Sequence, residues 1–143
     1  MRTALVASAL AVVLLAGGGA ASGGGAASGG GVASGSFAFG TAGGNVVPRH
    51  VTISATGRVV ERGLRTKTID VAAVHGLLTL ATAERFFSLP KRIECAGTLP
   101  DVAALYVTVR TPARTRTVTV HGSCNRRFAE LYAVLNAVAT IGR

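Results

Sequence analysis

The sequence lacks the motifs that carry metal binding or nucleophilic catalysis. It has no Cys-x-x-Cys or His-x-x-x-His spacing for a metal ion, no Gly-x-Ser-x-Gly elbow for a serine nucleophile, and no phosphate loop ending in Gly-Lys. The residues that could transfer a proton are each explained as a helix cap, a turn or a surface residue: His50, His75, His121, Asp70 and Asp101. We therefore predict no catalytic residue, no metal site, no cofactor and a protein that is not an enzyme.

Aromatic and acidic residues are also few. The chain has no tryptophan, and its aromatic residues make up 5% of the sequence. Specific binding to nucleic acid needs exposed aromatic side chains or a reading helix, and only Tyr106 and Tyr132 are available, so we predict no specific nucleic-acid partner. Asp and Glu number 6 against 15 Lys and Arg, a formal net charge of +9, which favours an anionic partner.

Residues 1–21 have the pattern of a secretory signal peptide. Arg2 gives a short positive start, residues 4–16 are almost wholly apolar, and small residues follow at 19–21. The apolar stretch is short for a membrane span, which needs roughly 20 residues, so we expect cleavage and no stable membrane insertion afterwards. The alternative is a retained anchor, because the Gly and Ala residues beyond Ala16 are apolar enough to lengthen a helix. The chain is predicted to be secreted or associated with the cell envelope.

Residues 22–35 are predicted to form a flexible linker. The hexad Gly-Gly-Gly-Ala-Ala-Ser occurs at 17–22 and again at 23–28, and a variant with valine follows at 29–34. Such a segment has no large side chains whose burial could offset its backbone entropy. The remaining residues, 36–143, are enough for a single α+β domain with one core.

The two cysteines, Cys95 and Cys124, are predicted to form a disulfide. An exported chain enters an oxidising compartment, where paired cysteines are normally bonded. Closing a loop of this length stabilises a fold by about 3 to 4 kcal/mol. The alternative is a catalytic thiol, because Cys124 stands near the start of a predicted helix and shortly after His121.

The clearest structural pattern runs from residue 105 to residue 138. Apolar and polar residues alternate over 105–110 and 117–121, with the turn signal Thr-Pro-Ala-Arg between them, which predicts an antiparallel hairpin. The period then changes to that of a helix. Its apolar stripe can cover the hairpin and consists of Phe128, Leu131, Leu135 and Val138.

The upstream half is predicted to complete the same layer. Phe37 and Phe39 alternate with small residues and should bring two aromatic rings to the core. A turn at Gly57 joins two further strands, and a short extended piece covers 65–69. Beyond the first helix, Phe86 or Phe87 together with Leu89 should fill the core.

The first helix is predicted to begin after Asp70, which is a good N-cap. Its apolar residues recur with helical period: Val71, Val74, Leu77, Leu78 and Ala81. Gly76 costs about 1 kcal/mol relative to alanine, so we expect it to pack closely against a neighbour. The predicted fold is an antiparallel sheet of four to five strands with two helices packed on one face, in the order β-β-β-α-β-β-α.

A resemblance is carried by five segments: VTISATGRVV, ERFFSLP, PDVAALYVTVR, TRTVTVHG and FAELYAVLNAV. Their layout resembles a broad group of small secreted bacterial domains of unknown function and is similar to that of emfourin-type inhibitors of thermolysin-like metalloproteases. The matching features are the turn glycine Gly57, the helix end at 86–90, Asp101 and the amphipathic last helix. The resemblance implies an inhibitor with an exposed segment that enters a protease cleft. No such segment is matched here, and the basic charge and the disulfide depart from the pattern, so no binding residue is carried over.

Two functions are predicted for this secreted basic binding module. The first is contact with a protein partner, with protease inhibition as one form of it, through the loop 40–45, the loop 91–101 or the turn of the second hairpin at 112–115. The second is binding to an anionic wall polymer or lipid surface. The candidate contacts for that second function are Arg110, Arg114, Arg116, Arg126 and Arg127.

Overall fold

The computed structural model describes residues 34–62 and 66–140. The predicted signal peptide and nearly all of the predicted linker therefore lie outside the described residues. Gly35 already belongs to the folded part, because it is buried and a Cβ atom there would lie 2.7 Å from the Leu78 side chain. None of the helices formed by the described residues is long and apolar enough to cross a membrane.

Seven strands form one mixed sheet in this part of the chain. They are β1 (Ser36–Ala42), β2 (Arg49–Ile53), β3 (Arg58–Glu61), β4 (Lys67–Thr68), β5 (Arg92–Glu94), β6 (Ala104–Arg110) and β7 (Thr115–His121). Their order across the sheet is β4-β3-β2-β1-β6-β7-β5, and every neighbouring pair is antiparallel except β5 and β7. Helices α1 (Val71–Ala83) and α2 (Arg126–Thr140) and a 3-10 turn (Phe86–Ser88) complete the fold.

The predicted α+β class with two helices is confirmed, but the predicted sheet is wrong in strand number and in having only antiparallel pairs. The loop expected at 91–101 contains β5, which pairs in parallel with β7 through Ile93 and Val120. Its three residues include a single apolar one, so no alternation marks it in the sequence. β4, expected only as an extended piece, is a two-residue edge strand paired with β3.

One face of the sheet packs against both helices. Alternate strand positions point into this core, as predicted for Phe37 and Phe39. The strands contribute Phe37, Phe39, Val51, Ile53, Val59, Val107, Val109, Val118 and Val120. The helices contribute Val74, Leu77, Leu78, Ala81, Phe128, Leu131, Leu135 and Ala139, and Phe86 and Leu89 follow from the segment after α1.

Helix α1 begins as predicted but packs differently at two positions. The Asp70 carboxylate accepts a hydrogen bond from the Ala72 amide over 2.8 Å, which confirms the N-cap. The prediction that Val71 belongs to the buried stripe is wrong, because its side chain is exposed. The close packing expected at Gly76 is also wrong, since a Cβ atom there would meet nothing within 4 Å. This glycine lies on the solvent side of the helix.

Helix α2 is tied to the sheet by polar contacts as well as by its apolar stripe. Arg49 on β2 donates to Glu61 over 2.7 Å and also donates to the Asn136 side chain. The Glu61 carboxylate raises the pKa of Arg49. Lys67 on β4 donates through Nζ to the Val138 carbonyl oxygen over 2.7 Å, where a helix leaves carbonyls without intrahelical partners. The C-terminal half of α2 is therefore held against β2 and β4.

Candidate functional site

Two loops meet at one end of the sheet. In the antiparallel pair of β1 and β6, Ala42 lies opposite Ala104, so the segment after β1 and the segment before β6 leave the sheet at the same end. The Asn45 amide donates to the Asp101 carbonyl over 3.1 Å and joins the two segments. We call residues 43–48, 95–103 and 122–125 the loop end.

The loop end carries most of the exposed large apolar side chains found among the described residues. The exposed fractions are 49% for Val46, 89% for Val47, 64% for Leu99 and 43% for Val102. The other two such side chains, Val71 and Val134, lie on α1 and α2. Apolar side chains that are exposed together mark contact sites, whereas single ones are ordinary surface residues.

The disulfide predicted from the sequence lies at the loop end. Cys95 and Cys124 are bonded at an S–S distance of 2.02 Å with their Cα atoms 5.5 Å apart. The Cys124 amide also lies 2.9 Å from the Cys95 sulfur. Because both sulfurs are in this bond, the alternative of a catalytic thiol at either position is not supported. The bond connects the start of the 95–103 loop to the start of α2.

Gly122 allows the backbone to pass close to this disulfide. Its φ is +100°, in the left-handed region that glycine adopts without a steric penalty. A Cβ atom here would lie 2.2 Å from the Thr98 hydroxyl and 2.6 Å from the Cys95 Cβ atom. Any larger residue would therefore push the 95–98 turn away from β7.

His121, the last residue of β7, holds the 95–103 loop against the sheet. Its Nε2 atom lies 2.8 Å from the Val102 carbonyl oxygen, and its Nδ1 atom lies 2.9 Å from the Glu94 carboxylate. Glu94 on β5 also accepts a hydrogen bond from Arg92 over 2.5 Å. Both contacts hold the pKa of the Glu94 carboxyl below its ordinary value, and the hydrogen bond from Arg92 has a larger effect than the one from His121.

Two consecutive turns shape the same loop. The Thr98 amide donates to the Cys95 carbonyl over 3.2 Å, and the Val102 amide donates to the Leu99 carbonyl over 3.1 Å. An open groove of about 440 Å³ runs over this loop and the disulfide, with Leu99 and Val102 among its lining residues. The loop therefore presents apolar side chains from a backbone that is folded back on itself.

The five arginines predicted to bind polyanions do not share one surface. Arg110 ends β6 and Arg114 lies in the turn that follows, while Arg116 points to the helix side of β7 and donates to the Leu89 carbonyl. We call residues 110–116 the hairpin tip. Arg126 and Arg127 begin α2, beyond the other end of β7, and a seven-residue strand spans about 20 Å. The first three lie at one end of the hairpin, but Arg110 and Arg116 point to opposite faces of the sheet, since Arg116 pairs with the buried Val109. The last two lie apart from all three.

The residues considered for proton transfer are spread over several elements. His50 on β2 is hydrogen-bonded to the Tyr106 hydroxyl at 2.5 Å, and Asp70 caps α1. His121, the last residue of β7, contacts the Val102 carbonyl oxygen in the loop that also contains Asp101. Within residues 34–62 and 66–140, no three His, Cys, Asp or Glu side chains are grouped so that they could hold a metal ion.

Sequence reasoning missed two parts of the loop end. The prediction of a loop at 40–45 is wrong for residues 40–42, which belong to β1 and pair with β6. The prediction also stopped short of Val46 and Val47, although two adjacent valines before Pro48 cannot both face a core from an extended chain. The hydrogen bond between His121 and Val102 was also missed, because Val102 accepts it through its backbone carbonyl, which every residue type has.

No protein-family model, no curated protein and no solved structure matches this chain. The resemblance to emfourin-type inhibitors therefore stays a prediction. Function has to be inferred from the geometry of the loop end and the hairpin tip.

Proposed function

We propose that this chain is a secreted, non-catalytic binding module whose loop end contacts an apolar surface on a partner protein. The observation that carries the proposal is the exposure of Val46, Val47, Leu99 and Val102 on two loops that are hydrogen-bonded to each other. A soluble domain gains nothing in stability from apolar side chains that face water. Their burial against a partner is favourable at about 25 cal/mol per Å² of apolar surface removed from water.

The contacts that hold the loop end in one conformation support the same proposal. The disulfide, the His121 contacts and the bond between Asn45 and Asp101 hold the loops in one arrangement. A loop that is ordered before binding loses less conformational entropy when it binds, so more of the contact energy appears as affinity. The disulfide also supports an exported location, because such bonds persist in oxidising compartments.

Partner capture from secreted and envelope fractions tests the proposal. The full chain is used as bait beside the variants Val47→Asp and Leu99→Asp, and each captured protein is then purified and titrated by calorimetry. We expect each loop variant to weaken binding at least tenfold, since a buried charge replaces an apolar contact. Val134→Asp is the matched control, because Val134 is an exposed valine on α2. Equal binding by the loop variants and by Val134→Asp would refute a contact through the loop end.

Protease inhibition is one form of this proposal, and the segment 46–48 supports it. The residue before a proline is restricted to extended conformations, so Pro48 favours an extended Val47, which is also the most exposed of the four side chains. Extended segments can bind a protein by adding a strand to the edge of one of its sheets. The test is titration of the full chain into a panel of secreted metalloproteases and serine proteases. Inhibition near one equivalent that is lost in Val47→Asp supports this form, and full activity across the panel excludes it.

The second candidate function is binding to an anionic envelope polymer at the hairpin tip. Among the described residues, Arg49, Arg92 and Arg126 form ion pairs with carboxylates, whereas Arg110 and Arg114 form none. Positive charge is therefore left uncompensated at the tip. Binding to purified anionic wall polymer should weaken steeply with salt, because bound counterions are released and charges are screened. Binding that does not respond to salt would contradict this function.

A further inference from the structure

A small pocket lies between the end of α1 and the hairpin tip. It has a volume of about 250 Å³ and is lined by Thr82, Arg85, Phe87, Ser88 and Arg114. Two of these side chains are cationic and none is acidic. The Thr82 and Ser88 hydroxyl groups donate to the Leu78 and Arg85 carbonyl oxygens, so the two arginines are the side-chain donors left for a ligand. We infer that this pocket binds a single oxyanion of the phosphate or sulfate type, with Arg85 and Arg114 as the groups that hold it.

Arg114 is positioned for this role by an aromatic ring. Its guanidinium carbon lies 3.7 Å from the centroid of the Phe87 ring. Stacking engages the face of the guanidinium and leaves the N–H groups at its edge available to other acceptors. A guanidinium held in this way is a fixed fork, which matches two oxygens of a phosphate or sulfate.

Arg85 has a backbone conformation that its residue type does not favour. Its φ is +50° and its ψ is +38°. Among the described residues, Arg85 is the only one other than glycine with a positive φ. Glycine would adopt this conformation freely, whereas a residue with a Cβ atom is strained there. Its carbonyl is held by the Ser88 amide at 2.9 Å and by the Ser88 hydroxyl at 2.7 Å. This conformation turns the chain from α1 into the 3-10 turn, and it leaves Arg85 among the residues that line the pocket.

The charges around the pocket favour an anion. Among the described residues, neither Arg85 nor Arg114 is in an ion pair with a carboxylate. Glu84, the acid next to Arg85 in the chain, is not among the residues that line the pocket. The inference rests on the second candidate function for the source of the anion, since a phosphate-bearing envelope polymer presents such groups in series.

Titration of the full chain with inorganic phosphate and with sulfate, followed by amide chemical shifts, tests the site. We expect saturable shifts at Arg85, Phe87, Ser88 and Arg114. Arg114→Ala should weaken phosphate binding about tenfold or more, because a charge-assisted hydrogen bond is lost. Arg58→Ala removes the same charge from the exposed start of β3 and should leave binding unchanged. Equal weakening by these two variants would show a general charge effect and overturn the site.

Two further variants separate the site from the stability of the fold. Phe87→Leu keeps every charge but removes the ring under Arg114, so phosphate binding should weaken while the salt dependence stays the same. Arg85→Gly relieves the positive φ, so it should raise the midpoint of thermal unfolding and at the same time weaken phosphate binding. Unchanged phosphate affinity in Arg85→Gly would remove Arg85 from the site and overturn the inference.

Polyphosphate and anionic lipid vesicles identify the source of the anion. Tighter binding of polyphosphate than of free phosphate, lost in Arg114→Ala, supports both the site and the polymer. Saturable phosphate binding with no gain for polyphosphate supports the site and contradicts the second candidate function. Binding to vesicles alone, with no phosphate-induced shifts at the pocket, overturns the site.

Discussion

His121 and Val102 are joined by a hydrogen bond of 2.8 Å between the Nε2 atom of the ring and the backbone carbonyl oxygen. A carbonyl can only accept, so Nε2 is the donor in this contact. The bond connects the last residue of β7 to the loop that carries Leu99, which is exposed at the loop end. The position of that loop therefore depends on the sheet as well as on the disulfide.

Replacement of His121 by leucine should loosen this loop. The variant loses the contacts to Glu94 and Val102. Loss of the hydrogen bond to the Val102 carbonyl should lower the free energy of unfolding by about 1 kcal/mol. Hydrogen exchange should accelerate at the amides of residues 99–103. His75→Leu, on α1, serves as the control and should leave exchange in that loop unchanged. Equal exchange in both variants would mean that His121 does not hold the loop.

Acid should weaken the same region through Glu94. Hydrogen bonds from Arg92 and then His121 hold the pKa of its carboxyl below the ordinary value, so folding favours the charged form. Such a group adds stability above its unfolded-state pKa of about 4.3, and this stability is lost as the pH falls through the lower folded-state pKa. Chemical denaturation across this acid range should show the loss.

Glu94→Gln should remove that part of the pH dependence, because the amide does not titrate. Glu130→Gln is the matched control, since Glu130 pairs with Arg126 on the exposed side of α2. A pH profile that is the same in Glu94→Gln and in the unaltered protein would contradict the role given to Glu94.

Gly122 and Gly97 should respond differently to alanine. Both have positive φ, +100° and +78°, so each substitution carries a backbone strain of about 1 to 2 kcal/mol. At Gly97 a Cβ atom would meet nothing within 4 Å, but at Gly122 it would collide with Thr98 and Cys95. Gly122→Ala should therefore lower the free energy of unfolding by clearly more than Gly97→Ala, as measured by denaturant titration. Similar losses at both positions would argue against a close approach at Gly122.

Gly76→Ala should stabilise the protein. Gly76 lies inside α1, is exposed, and leaves open space for a Cβ atom. Alanine is more favourable than glycine in a helix interior by about 1 kcal/mol, so the free energy of unfolding should rise by that amount. Ala73→Gly, at another exposed position of the same helix, should lower it by a similar amount. A loss of stability in Gly76→Ala would indicate a contact that this position does not make here.

Much of the fold could be predicted because it depends on local patterns. Alternation predicted that Phe37 and Phe39 enter the core, and the side chain of Asp70 marked the start of α1. Helical period predicted three of the four buried positions of α2; the fourth is Ala139, and the predicted Val138 is only partly buried. β5 could not be predicted, because its three residues become a strand only by pairing with β7, which follows much later in the chain. Hydrogen bonds between distant backbones have no signature in a single segment.

The candidate sites could likewise be predicted from the sequence only in part. The disulfide between Cys95 and Cys124 was predicted from residue count and is confirmed. The loops that contain Val47 and Leu99 could be recognised as loops, but their meeting at one end follows from the antiparallel pairing of β1 with β6. The pocket lined by Arg85 and Arg114 could not be predicted from the sequence, because the positive φ of Arg85 is a property of the folded backbone.

By itself, the sequence determined the α+β class, the two helices and the bonded cysteines. These depend on periodicity, on capping residues and on residue count, which act over short stretches of chain or in composition. Tertiary structure decided the strand order, the separation of the apolar loop end from the basic hairpin tip, and the partners of His121. Each of these requires segments far apart in the chain to lie side by side, and such contacts form only when the whole core is buried together.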